Sequence, residues 1–195
     1  MEGLLGELHA WSPSELLAAV LALLYLVLAA RQNPWCWPCA LVSTVIYLWL
    51  FYERQLYQQA LLQLFYIAMA VYGWWHWRGA GAASEPLRVS RWSMRQHVMA
   101  AGLVLVLTVT TGWAEARFTT APFPYLDAFT TWGSVITTWM VARKVLENWL
   151  YWLLVDCVMV YLSYVAGLPA TTLLFVIYLG IVIAGFLAWR RSLPA

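Results

Sequence analysis

Trp149, Trp152 and Asp156 follow one another at spacings of three and four, which on a helix places all three on one stripe. The segment around them, residues 148 to 166, is otherwise almost wholly apolar. Indole faces attract cations through the ring quadrupole, and a carboxylate attracts them through its charge. Two indoles and one anion on a stripe therefore suit a flat, positively charged ligand. Gln59, Gln63 and Tyr66 form a second stripe of the same kind. Cys36-Trp37-Pro38-Cys39 offers a different chemistry, because a Cys-x-x-Cys pair can cycle between dithiol and disulfide.

The elements that must position these groups follow from composition. The 195 residues are 64% hydrophobic and only 10% charged, with a mean hydropathy of +0.71, against about 25% charged in soluble domains. A spanning helix takes about 20 mostly apolar residues. Seven such stretches can be laid out, at 14–30, 35–52, 56–77, 97–114, 126–142, 148–166 and 171–189. Glu2, Glu7 and Glu15 precede any Lys or Arg, the wrong charge for a signal-peptide n-region, so the first span is expected to be retained. Counting basic residues orients the chain. Arg31, Arg78, Arg88, Arg91, Arg95, Arg143, Lys144, Arg190 and Arg191 fall on one side, Arg54 and Arg117 on the other, which predicts an N-terminus outside and a C-terminus inside. The net charge of +2 is then a matter of topology and anionic lipid rather than of nucleic acid.

In such a setting Asp156 costs about 2.5–3.5 kcal/mol to insert and is expected to face a cavity or a partner. A structural hydrogen bond to a neighbouring span is the competing role. Trp149 and Trp152 have the competing role of interface anchors, as Trp11, Trp74, Trp75, Trp77 and Trp189 do at predicted span ends. Asn33, Asn148 and Asp127 are placed to cap helices.

An internal repeat is legible. Tyr66, Gly73, Trp77 and Arg78 recur at one offset as Tyr178, Gly185, Trp189 and Arg190. Arg31, Asn33 and Trp37 are echoed by Arg143, Asn148 and Trp152, with a small insertion after the Arg. Spans 1–3 thus match spans 5–7, four crossings apart, which predicts parallel repeats around an axis along the membrane normal. The expected fold is all-α and membrane-embedded: a triple-helix repeat at 1–78, a loop, linker helix and outer loop at 79–125, and a second triple-helix repeat at 126–195. This three-plus-one-plus-three plan resembles that of SWEET transporters, whose sites lie near the midplane between repeats. Asp156 and Gln63 each sit about two turns, roughly 10 Å, from a span end and reach that depth.

Asn33-Pro-Trp-Cys-Trp-Pro38, Leu56-Tyr57, Leu62-Gln63 and Tyr72-Gly73-Trp74 in the first half, with Asp127, Arg143-Lys144, Glu147-Asn148-Trp149 and Trp152 in the second, resemble the PnuC family of nicotinamide riboside transporters over nearly the whole chain. The Trp-x-x-Trp of 149–152 corresponds to the family's substrate motif. The resemblance implies a facilitator of the bacterial inner membrane, often a homotrimer, whose ligand is trapped by a cytoplasmic vitamin kinase. The family carries Asn where this chain has Asp156, and thiamine-transporting PnuT relatives make thiamine the alternative ligand. The expected substrate site comprises Trp149, Trp152, Asp156, Gln63, Tyr66, Asn148, Gln59 and Trp37, with no cofactor.

No buried chain of carboxylates suggests proton coupling, so facilitated diffusion is expected. A quinone-linked thiol oxidoreductase built on Cys36 and Cys39 is the enzyme alternative; it is weakened by the reducing side on which the pair falls and by Cys157 being the one other cysteine. Metal, nucleophile-elbow and phosphate-loop motifs are absent from the sequence.

Overall fold

The computed structural model describes residues 12–53, 57–79 and 87–193. Glu2, Glu7, His9, Trp11, Arg54, Leu56 and the linker residues 80–86 lie outside that description. Seven α-helices follow in order: α1 (Pro13–Ala30), α2 (Cys36–Glu53), α3 (Tyr57–Arg78), α4 (Met94–Phe118), α5 (Pro124–Ala142), α6 (Asn148–Val165) and α7 (Pro169–Arg191). Each expected span coincides with one of them to within a few residues. The largest difference is at α4, which runs further at both ends.

Local chemistry explains where the helices begin. Ser12 and Glu15 form a reciprocal capping box at the start of α1, with Glu15 N–H to Ser12 Oγ at 3.2 Å and Ser12 N–H to Glu15 Oε2 at 2.8 Å. Pro13, Pro124 and Pro169 occupy first-turn positions, where a missing N–H costs nothing. Five helices, α1, α2, α4, α6 and α7, are long and apolar enough to cross a membrane. The other two, α3 with its glutamines and α5 with Thr130, Thr131, Ser134, Thr137 and Thr138, lack so long an apolar stretch among the described residues.

The helix pairs that touch explain that polarity. α1 packs on α2, α2 on α3, α3 on α5, α5 on α6, α6 on α7, and α7 back on α1, which closes a ring of six. α4 lies outside the ring against α5, and its His97 reaches Tyr151 of α6, Nδ1 to Oη 2.9 Å. The polar faces of α3 and α5 look into the ring.

The triplets α1–α3 and α5–α7 share one backbone pattern at an offset of 112 residues. Ala30 and Ala142 end the first helices, Cys36 and Asn148 begin the second, Glu53 and Val165 end them, and Tyr57 and Pro169 begin the third. Each connecting loop carries one left-handed non-glycine residue, Gln32 (φ 55°) and Lys144 (φ 49°). Its hydrogen bonds repeat as well: Gln32 N to Ala29 O and Lys144 N to Val141 O, both 2.9 Å; Cys36 N to Asn33 O at 3.0 Å and Asn148 N to Val145 O at 3.2 Å.

This register corrects the sequence alignment of the two halves. There is no insertion after the Arg; Trp37 corresponds to Trp149 rather than Trp152, and Cys36 rather than Asn33 corresponds to Asn148. Side-chain packing agrees, since the Trp37 ring fills the space a Cβ on Gly73 would take, and the Trp149 ring that of Gly185, 2.7 Å from its ideal Cβ. With fourteen tryptophans in the chain, an Asn-x-x-x-Trp coincidence three residues out of register was enough to mislead.

Candidate functional site

The ring encloses a cavity of about 430 Å³ to which all six of its helices contribute side chains, within the range of about 300–1,000 Å³ common for small-molecule sites. Trp152, Val155, Asp156 and Met159 line it from α6, and Gln59, Leu62, Gln63 and Tyr66 from α3. Residues spaced three and four apart on one helix share a face, so both stripes seen in the sequence arrive intact. Across from them stand Tyr25 of α1, Trp37, Ser43, Thr44 and Tyr47 of α2, Asp127, Thr130, Thr131, Ser134 and Thr138 of α5, and Phe175 and Tyr178 of α7.

The ionisable lining of the cavity is acidic. Asp156 is 3% exposed, faces the cavity, and makes no hydrogen bond or ion pair with any described residue. Asp127 lines the same cavity, and no Lys, Arg or His does so among the described residues. Several hydroxyls donate to helix carbonyls: Ser43 to Ala18 O at 2.8 Å, Thr130 to Asp127 O at 2.9 Å, Thr138 to Ser134 O at 2.7 Å, and Thr44 to Ala40 O. A hydroxyl that spends its proton on a backbone carbonyl offers only lone pairs to a ligand. The lining is therefore rich in acceptors around two carboxylates.

Its two ends differ. Gln59 and Asp127, both exposed, line the end near the starts of α3 and α5, away from Arg78 and Arg143. At the basic end Trp37, 1% exposed, forms a floor. Beyond that floor a chain of indoles crosses the ring: Trp37 to Trp77 at 5.4 Å, Trp77 to Trp189 at 5.9 Å and Trp189 to Trp149 at 5.4 Å between centroids. Trp77 Nε1 donates to Val141 O and Ala142 O, both at 3.2 Å, while Trp189 Nε1 donates to Ala29 O at 3.0 Å. Each triplet thus holds the other through the same bond. Lys144 Nζ lies 4.6 Å from the Trp77 ring centroid and 3.5 Å from Gln32 Oε1. Burial lowers the pKa of its amine below the usual lysine value, and the Cys36 thiol partly offsets this.

Of the expected site residues, Trp152, Asp156, Gln63, Tyr66, Gln59 and Trp37 line the cavity. Trp149 and Asn148 do not. Trp149 is spent on Gly185 and Trp189, and Asn148 is fully buried with Nδ2 donating to Val145 O at 2.6 Å. Asn148 is no helix cap, since Glu147 holds that position. Asp127 sits inside the first turn of α5 rather than capping it. Asn33 Oδ1 accepts from Trp35 N at 3.0 Å, a turn in the loop ahead of α2, which begins at Cys36. Sequence reasoning missed the Ser, Thr and Tyr lining of α2, α5 and α7. The signal for α5 was its spacing of Thr130, Ser134 and Thr138, four apart.

A family model described as nicotinamide mononucleotide transporter matches residues 12–191. The chain belongs to this family, that of PnuC. It is 31% identical over 181 residues to the riboflavin/roseoflavin transporter RibM of Streptomyces davaonensis, covering 90% of this chain and 84% of that one. It is 25% identical over 203 residues to the nicotinamide riboside transporter PnuC of Escherichia coli, 91% of this chain and 85% of that one. A crystal structure of the vitamin B3 transporter PnuC shares the fold with a TM-score of 0.73 at 21% identity, covering 92% of this chain and 81% of the other. The chain is therefore a multi-pass membrane transporter of the PnuC family and not an enzyme. With that, the oxidoreductase reading falls; Cys36, buried, and Cys39, half-buried, are both free thiols.

Proposed function

We propose that the chain takes up a small vitamin with a flat, positively charged ring, nicotinamide riboside first and thiamine by the same chemistry. The observation that carries this reading is the unpartnered carboxylate of Asp156 facing a closed-ring cavity beside Trp152, with no cationic side chain to answer it. Trp152 and Trp37 offer faces for stacking and cation–π contact, worth about 0.5–2 kcal/mol each according to desolvation. Asp156 answers the ring charge, and Gln63, Gln59 and Tyr66 supply hydrogen bonds to ribose and amide groups. All seven helices span the membrane in this reading, as two parallel triplets with α4 as the linker, the N-terminus outside and the C-terminus inside.

With that orientation the cavity opens outward and the indole chain closes it toward the cytoplasm. Rocking of the triplets about the site exchanges the two openings. A cytoplasmic vitamin kinase drains the product side, and a homotrimer in the bacterial inner membrane is the expected assembly.

A flavin is the second reading, favoured by the 31% identical relative named for riboflavin transport. The hydroxyl-rich lining suits a polyol chain. Calorimetric titration of the purified protein with nicotinamide riboside, thiamine and riboflavin in parallel separates the three, with Trp152→Ala as control. Saturable binding of a cationic vitamin that weakens in the variant supports the first reading, and binding of riboflavin alone replaces it with the second.

A further inference from the structure

An isolated carboxylate in a cavity without cations has a physical problem that the ligand solves only while it is bound. A buried, ionised and unpaired carboxylate costs far more than a neutral one, and such groups respond by holding a proton. Asp156 is 3% exposed and has neither a hydrogen-bond partner nor an ion-pair partner among the described residues. The groups that face it from the helices packed on α6 are the Tyr178 phenol of α7 and, across the cavity lining of α5, the Asp127 carboxyl. Tyr25, Tyr47 and Tyr66 complete the titratable lining from α1, α2 and α3. None of these supplies positive charge. Cys157, next on α6, is exposed on the outer face of the ring.

We propose that Asp156 carries a proton while the cavity is empty and releases it to water when a cationic ring binds, so that the empty and the loaded cavity bear the same net charge. The exchange balances: a neutral carboxylic acid and a cation become a carboxylate–cation pair, and the proton leaves on the side to which the cavity is open. It rests on the cationic-vitamin reading and deepens it. Substrate and proton become alternative occupants of one site, and the ion-free diffusion expected from sequence gains a proton counter-substrate. Rocking then moves no net charge in either direction, and affinity for the cation rises about tenfold per pH unit as long as the acid form prevails.

Two measurements on the purified full chain test this. Infrared spectroscopy of the ligand-free protein reads the carboxylic-acid C=O stretch without needing any vitamin; a band present at neutral pH and lost in Asp156→Asn is expected. Calorimetry in buffers of different ionisation heat counts protons released per nicotinamide riboside or thiamine bound; about one is expected for the native chain and none for Asp156→Asn, which keeps the shape of the site. Absence of the infrared band, or its survival in Asp156→Asn, overturns the proposal whichever vitamin is carried. Binding of a cationic vitamin without proton release overturns it and leaves the functional reading standing. Failure of both cationic vitamins to bind removes the functional reading and the exchange together.

Discussion

The triplets α1–α3 and α5–α7 agree in almost every backbone feature and disagree in almost every side chain that meets the cavity. Helix bounds, the left-handed loop residue, the tryptophan seated on a glycine and the reciprocal indole bonds all recur at 112 residues. Yet the equivalent lining positions pair Ala40 with Trp152, Thr44 with Asp156, Gln63 with Phe175, Ser43 with Val155, and Ala22 with Ser134. Only Tyr66 and Tyr178 keep their identity among the lining pairs. Symmetry therefore belongs to the scaffold, and asymmetry to the cavity lining. The first triplet contributes amides from α3, small hydroxyls from α2 and the Trp37 floor; the second contributes Trp152 and Asp156 from α6, with Asp127 and further hydroxyls from α5.

The loops at the basic end differ in a second way. In the second triplet Ser90 bridges to the α5–α6 loop, accepting from Leu146 N at 2.8 Å and donating to Lys144 O at 2.9 Å. Glu147 then holds Arg91 Nε at 3.0 Å and Trp92 N at 3.2 Å. The equivalent loop of the first triplet is tied instead through Gln32 Nε2 to Ser192 Oγ at 2.7 Å. The hydrogen bonds of Ser90, Arg91 and Trp92 thus run to the loop of the second triplet.

If scaffold and recognition are separate, substitutions should sort the same way. The largest effect is expected from Trp149→Ala, which empties the seat on Gly185 and should destabilise by about 3–5 kcal/mol. Trp37→Ala should cost a similar amount in thermal unfolding in detergent, and a Trp149 variant of native stability would break the scaffold assignment. Next comes Asp156→Thr, which gives α6 the residue that α2 carries at the equivalent position. It should weaken binding of a cationic vitamin by about 1.5–3 kcal/mol with little change in unfolding temperature, and calorimetry reads the loss. Trp152→Ala should follow, at about 0.5–2 kcal/mol of affinity; a larger loss of stability than of binding would move Trp152 into the scaffold. The smallest effect is expected from Trp77→Phe and Trp189→Phe, each of which removes one indole N–H donation between the triplets for about 0.5–1.5 kcal/mol. Equal shifts in melting sharpen the symmetry, and unequal ones show that the Ser90 and Glu147 fastening carries part of that load.

Much of this was legible in the sequence because membrane helices announce themselves by length and apolarity, and a polar residue inside one stands out. The seven helices were read to within a few residues, and the stripes of Trp152 with Asp156 and of Gln59, Gln63 and Tyr66 were read as faces. The role of Trp149 was not. Its spacing puts it on the Asp156 stripe, but Gly185, distant in sequence, decides where its ring goes. The register of the two halves was misread for the same reason: residue identities suggested an insertion that the loop hydrogen bonds exclude. The hydroxyls of α5 went unnoticed singly, since Ser and Thr in a membrane helix satisfy themselves on their own backbone and carry no local signal of what they face.

The sequence by itself determined the helices, their polar faces and the family, because periodicity and composition act along one chain segment at a time. Which faces meet around one cavity, that Asp127 joins Asp156 there, and that Trp149 does not, were decided by the closing of the six-helix ring, a matter of contacts between different helices such as Trp149 on Gly185, Trp77 with Val141 and Trp189 with Ala29.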